Sequence, residues 1–169
     1  MQTSSNTISS SAVSLLKING LNLIMPQSDI RSLELATDID FTAPALCSAG
    51  WVAYSSKHWP VYCLSDELAL MENVPAERHA CAVLPFGAVY IGVLCDDMIM
   101  LKQPIMPPQA LPPSMKLAET VTRPGTPIQH LVLYEHGIAC LSNAQYVSHY
   151  IEQLVFKTGT TGKAPDVRP

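Results

Sequence analysis

The chain has 169 residues, a net charge of -4, and 48% hydrophobic against only 14% charged side chains. Disorder shows the opposite balance, so a packed core is expected, and the length suits one domain or two small subdomains sharing a core. The acidic balance and scattered Lys and Arg exclude an electrostatic footprint for nucleic acid.

The first residues, from Met1 to Thr7, lack a basic start and an apolar stretch, so no signal peptide is expected. The uncharged run 80–95 is too short for a transmembrane helix and is broken by Pro85, Gly87 and Gly92. No membrane insertion and a cytoplasmic location follow as expectations. Five cysteines are present, an odd number with no C-x-x-C spacing. Cys63, Cys81, Cys95 and Cys140 sit in apolar runs, which suits free buried thiols better than a disulfide framework.

In chain order, 1–12 reads as a loose polar tail. Runs 14–18 and 21–25 flank Asn19-Gly20, the strongest short hairpin signal, because both residues tolerate positive φ. Segment 30–35 alternates apolar and polar side chains, the mark of a strand with one wet face. Segments 50–54 and 59–64 read as strands around the polar turn 55–58. Segment 65–71 reads as one or two helical turns, with Ser65 as cap. Runs 79–84 and 88–95 form a hairpin around Pro85-Phe86-Gly87. Nearly every residue in them is apolar, which predicts burial on both faces at the centre of the fold.

Strand 98–101 follows Asp96-Asp97. The proline-rich 103–113 suits an extended connector. Runs 128–134 and 138–141 give a last hairpin, turning at Glu135-His136-Gly137. Ser142-x-x-Gln145 has the form of a capping box, and apolar residues at helical spacing predict an amphipathic helix to about Phe156. A tail over 157–169 completes the chain, leaving a domain over 13–156. Many short strands with one closing helix argue for a mostly β fold of small barrels or a sandwich.

No phosphate-binding glycine loop and no G-x-S-x-G elbow is present. His136 and Cys140, four apart on a strand, lie too far apart for easy joint ligation, and His130 does not complete a set, so no metal and no cofactor are expected. Cys63 with His58 lacks an orienting third group, and its apolar run raises a thiol pKa. Asp96-Asp97 suits a solvated bend better than acid/base work. Trp51, Tyr54 and Trp59 cluster on one hairpin, as core packing or as an aromatic contact surface.

Taken in order, these segments resemble the CheW-like domain of bacterial chemotaxis adaptors over about 14–155. Gly50, Pro60 and Leu64 fall on that family's G-(x)2-NLRG-(x)3-P-(x)2-DL stretch, with 53–56 replacing NLRG and Cys63 replacing the aspartate. Gly92, Asp96, Met98 and Leu101 follow its G-x-x-V-D-x-V-x-x-V pattern. The closing hairpin and helix are similar to its last segment, with Ser142 or Asn143 where an aspartate would stand.

The resemblance implies two small five-stranded β-barrel subdomains sharing a core, with a C-terminal helix. It implies a non-enzymatic adaptor in two-component signal transduction that docks on a CheA-type histidine kinase and on chemoreceptor tips. The family ties the arginine of NLRG to that coupling. Ser55 stands there, and a hydroxyl cannot replace a guanidinium fork. Receptor coupling of the usual kind is therefore not expected, which leaves a divergent array, such as one controlling pili or twitching, or the loss of one partner. The candidate partner surface is Tyr54, Ser55, Ser56, Lys57, His58 and Trp59, with no catalytic residue. Two other readings remain at this level. One is a small thiol- or metal-dependent enzyme using Cys63 or Cys140 with His58 or His136. The other is a structural part of a pilus or secretion apparatus.

Overall fold

The computed structural model describes residues 12–101, 126–134 and 137–158. The expected N-terminal tail up to residue 11, the proline-rich connector, Glu135-His136 and residues 159–169 lie outside the described residues.

Ten strands and one α-helix are described. Val13–Ile18 (β1) and Leu21–Pro26 (β2) form the first hairpin, and Ser32–Leu35 is β3. Gly50–Tyr54 (β4) pairs with Lys57–Cys63 (β5), and Ala80–Phe86 (β6) pairs with Val89–Cys95 (β7). Asp97–Leu101 (β8), His130–Tyr134 (β9), Gly137–Leu141 (β10) and the helix Ala144–Thr158 (α1) follow.

The strands form two five-stranded sheets. Sheet I runs β8-β1-β2-β10-β9 and sheet II runs β3-β6-β7-β5-β4. Both are wired alike. In each, two antiparallel hairpins join in parallel through their second strands, β2 with β10 and β7 with β5. A fifth strand, β8 or β3, then adds antiparallel to the outer strand of one hairpin. Sheet II is continuous in sequence and is inserted between β2 and β8 of sheet I.

Side-chain parity explains why the central strands are apolar throughout. Along β6, Ala82 and Leu84 join a core shared by both sheets, while Cys81 and Val83 join a core belonging to sheet II. Leu16 and Leu23 of sheet I enter the shared core, while Leu15 and Ile24 pack on Val132 and Ala139 in a core of sheet I alone. A strand between two cores has no wet face, so its sequence loses alternation. The expected mostly β fold of two five-stranded units sharing a core, with a closing helix, is what forms.

Gly50 and Gly92 fix close approaches within sheet II. A Cβ on Gly92 would lie 2.7 Å from Cys81 Sγ, and one on Gly50 would lie 2.5 Å from the Asp40 carbonyl oxygen.

Four local expectations need correction. Segment 65–71 is not helical. Leu68 takes φ 62° and is buried in the shared core, while Leu64 and Leu70 form a bridge. Ser65 does cap, its Oγ accepting from the Glu67 and Ala69 amides at 3.2 and 3.1 Å, but it caps a turn. Second, the β6–β7 turn is Gly87-Ala88, because Pro85 and Phe86 pair with Tyr90 and Val89.

Third, β3 alternates with its sides reversed. Leu33 and Leu35 are 45% and 62% exposed, while Ser32 and Glu34 are half-buried and hydrogen-bonded to each other. The leucines lie level with Ala82 and Ala80 but at the outer edge of the sheet, beyond the reach of the core. Fourth, no capping box forms at α1. Ser142 is buried and donates to the Pro127 carbonyl at 2.6 Å. Asn143 caps instead, accepting from the Tyr146 amide at 2.8 Å, and Asp29 accepts from the Ala144 amide at 2.9 Å. Both suit the positive end of a helix. The helix continues to Thr158, two residues beyond its expected end.

Candidate functional site

The β4–β5 hairpin turns on two residues only, Ser55 and Ser56, with φ 49° and 64°. Positive φ at both central positions matches the twist of the flanking strands. Neither serine is a residue that favours this region, at a cost of roughly 1 kcal/mol each. Lys57 and His58, expected in the turn, instead begin β5 opposite Tyr54 and Ala53. Ser55, Ser56, Lys57 and His58 are all exposed.

An aromatic support lies beneath this tip. Trp59 is 4% exposed, and its Nε1 donates to the Tyr54 carbonyl at 2.9 Å. Tyr90 of β7 packs edge-on against both Tyr54 and Trp59, with centroids 4.8 and 5.3 Å apart. Trp51 is buried as well. Of the six candidate contact residues, four form an accessible polar tip with one lysine. Tyr54 is half-buried, and Trp59 supports the tip from below.

The thiols offer no comparable site. Burial pushes Cys95 and Cys140 up to about 12. Cys63 is also raised, burial outweighing the lowering effect of the Arg78 guanidinium beside it. Exposed His58 is five residues along the same strand from buried Cys63, roughly 16 Å at strand rise, so the two form no pair. His136 lies outside the described residues. Among the described residues, no three His, Cys, Asp or Glu side chains converge to hold a metal ion. No helix among them is long and apolar enough to cross a membrane.

Asp96 and Asp97 do not act together. Asp97 caps its own strand, accepting from the Met98 amide at 2.8 Å. Asp96 sits where the chain passes from sheet II to sheet I and pairs with Arg78, which is fully buried. Arg78 Nη1 donates to Asp96 Oδ1 and Nη2 to the Leu64 carbonyl, both at 2.7 Å. Asp96 Oδ2 accepts from the Asn19 amide at 2.7 Å. One ion pair thus ties the first turn of sheet I to two places in sheet II. The sequence reading missed Arg78, which stands in the polar run Glu77-Arg78-His79 and has no local sign of burial.

Two interlocked five-stranded sheets with a closing helix define a mostly β, two-sheet architecture. No protein-family profile matches the sequence, and no curated protein matches it. Among solved structures, the scaffolding protein TtCheW from Thermoanaerobacter tengcongensis superposes with a TM-score of 0.57 at 10% identity, over 81% of this chain and 91% of that one. The chain has the CheW-like fold, as the order of its motifs led one to expect. Among the described residues, Gly50 and Gly92, which carried part of that resemblance, are the two glycines where a side chain would collide with its surroundings.

Proposed function

We propose that the chain is a non-enzymatic adaptor of a chemosensory system, controlling chemotaxis or pilus-type motility from the cytoplasm. It docks on a CheA-type histidine kinase through the β4–β5 tip, and on chemoreceptors through contacts that do not depend on an arginine at position 55. The observation that carries this reading is the likeness in fold to a scaffolding protein across 81% of the chain. The exposed tip on a buried aromatic base adds to it, since rigid support beneath a contact lowers the entropy lost on docking. The raised thiols leave thiol chemistry without support.

The test is a pull-down with the CheA-type kinases of the same genome, followed by affinity measurement. Binding to one of them is expected. Lys57→Glu should weaken it about tenfold, the loss of one well-placed interface charge, with the fold unchanged by circular dichroism. No binding to any such kinase, where a standard adaptor binds, would refute the assignment. Unchanged affinity for Lys57→Glu would remove the tip from the interface.

A further inference from the structure

Helix α1 leaves a cleft of about 180 Å³ against β5 and the β6–β7 hairpin. Trp59, Phe86, Tyr90, Ile151 and Val155 give it an apolar lining, and Glu152 is the one charged residue on its wall among the described residues. An apolar cavity of about 150 Å³ is enough for a benzene ring. The cleft therefore has room for a single phenyl side chain, with a negative charge at its edge.

The same helix carries a side chain of that shape. Phe156, the residue after Val155, is 70% exposed, and an exposed lysine, Lys157, follows it. Glu152 is one turn before Phe156 on the same side of the helix, and its closest basic neighbour is His149 at 3.9 Å. The molecule thus presents a knob beside a positive charge and a socket beside a negative one. Shape and charge complement each other within one patch, which is the requirement of a contact closed by a two-fold axis.

We propose that α1 is a homodimer contact, in which Phe156 of each copy fills the cleft of the other and Lys157 of each faces Glu152 of the other. With the two helices antiparallel and centred between Gln153 and Leu154, Phe156 stands level with Ile151 of the second copy and Lys157 with its Tyr150. Glu152 is two residues further on, about 3 Å along the axis, which a lysine side chain can span. The contact gives the exposed phenylalanine an apolar environment and meets the lone charge in the cleft with an opposite one. It does not rest on the adaptor reading, since no kinase or receptor takes part.

Sedimentation equilibrium on the full chain over a wide concentration range tests it. Wild type should show a reversible monomer–dimer equilibrium. Phe156→Glu should abolish the dimer while leaving circular dichroism and thermal unfolding intact, because the side chain lies outside the core. Glu152→Lys should raise the dimer dissociation constant about tenfold, and Glu152→Lys with Lys157→Glu should return it to near the wild-type value. A protein that stays monomeric throughout overturns the proposal. So does a dimer indifferent to Phe156→Glu, or a charge swap that fails to restore association.

Discussion

The two sheets share one wiring and differ in how each is held. Sheet II is packed tightly from within. Gly50 and Gly92 admit close neighbours, three of the four buried thiols lie on its β5, β6 and β7, and the tip of its first hairpin carries two serines with positive φ. Sheet I relies on relaxed local chemistry and on its neighbour. Its first turn is Asn19-Gly20, and that turn is tied to sheet II through Asp96 and Arg78. A shared topology therefore does not dictate a shared source of stability. Both sheets bury a core of their own, but sheet II adds close backbone approaches and a strained turn, while sheet I adds a relaxed turn and an ion pair with its neighbour.

Removing the tie should give the largest effect. Asp96→Ala leaves the Arg78 guanidinium buried without its counter-charge, and urea denaturation should show a loss of about 3–5 kcal/mol. The double variant Asp96→Ala, Arg78→Met should lose distinctly less, because the orphaned charge goes with it. Equal losses would mean that the uncompensated Arg78 charge is not what the single variant loses.

Alkaline pH distinguishes the sheets next. The folded-state pKa values of Cys95 and Cys140 are pushed up to about 12, and those of Cys63 and Cys81 are also raised by burial. A free thiol in the unfolded chain titrates near about 8.5. Below that pH both states keep the proton and stability is unaffected. Between there and pH 12 the unfolded chain releases protons that the folded chain retains. Stability should then fall, by up to about 1.4 kcal/mol per pH unit for each thiol. Cys81→Ala with Cys95→Ala should flatten the slope, measured by denaturant titration at stepped pH, more than Cys140→Ala does.

The smallest effect should come from the turns. Replacing Ser55-Ser56 by Asn-Gly should stabilise the protein by about 1 kcal/mol, and replacing Asn19-Gly20 by Ser-Ser should cost a similar amount. Thermal midpoints that move the same way in both variants would contradict the contrast between a strained and a relaxed turn.

The sequence was informative where local chemistry decides the outcome. Asn19-Gly20 announces its hairpin because few dipeptides adopt two positive φ values so readily. The apolar runs of β6 and β7 announce strands buried on both faces because nothing else buries alternate residues in two cores. Information failed where a residue is satisfied by a distant partner. Asp29 caps a helix 115 residues away, and Arg78 is neutralised 18 residues on by an aspartate that itself reads as a solvated bend. Leu33 and Leu35 look like core residues by composition, and only the strand order puts them at an open edge. The exposed tip 55–58 was legible as a polar run between two apolar strands. The α1 cleft was not found, because its walls come from β5, β6, β7 and the helix and share no local pattern.

The insertion of sheet II within sheet I also sets a timetable during synthesis on the ribosome. All five strands of sheet II have been made once Cys95 emerges, so this unit can close while the rest of the chain is still being made. The β1–β2 hairpin is made first yet must wait for β8 at one side and β10 at the other. Until Leu141 leaves the exit tunnel, the free edge of β2 stays open to any passing strand. The half of the molecule that begins the chain is therefore the last to be finished and the one most in need of protection on the way.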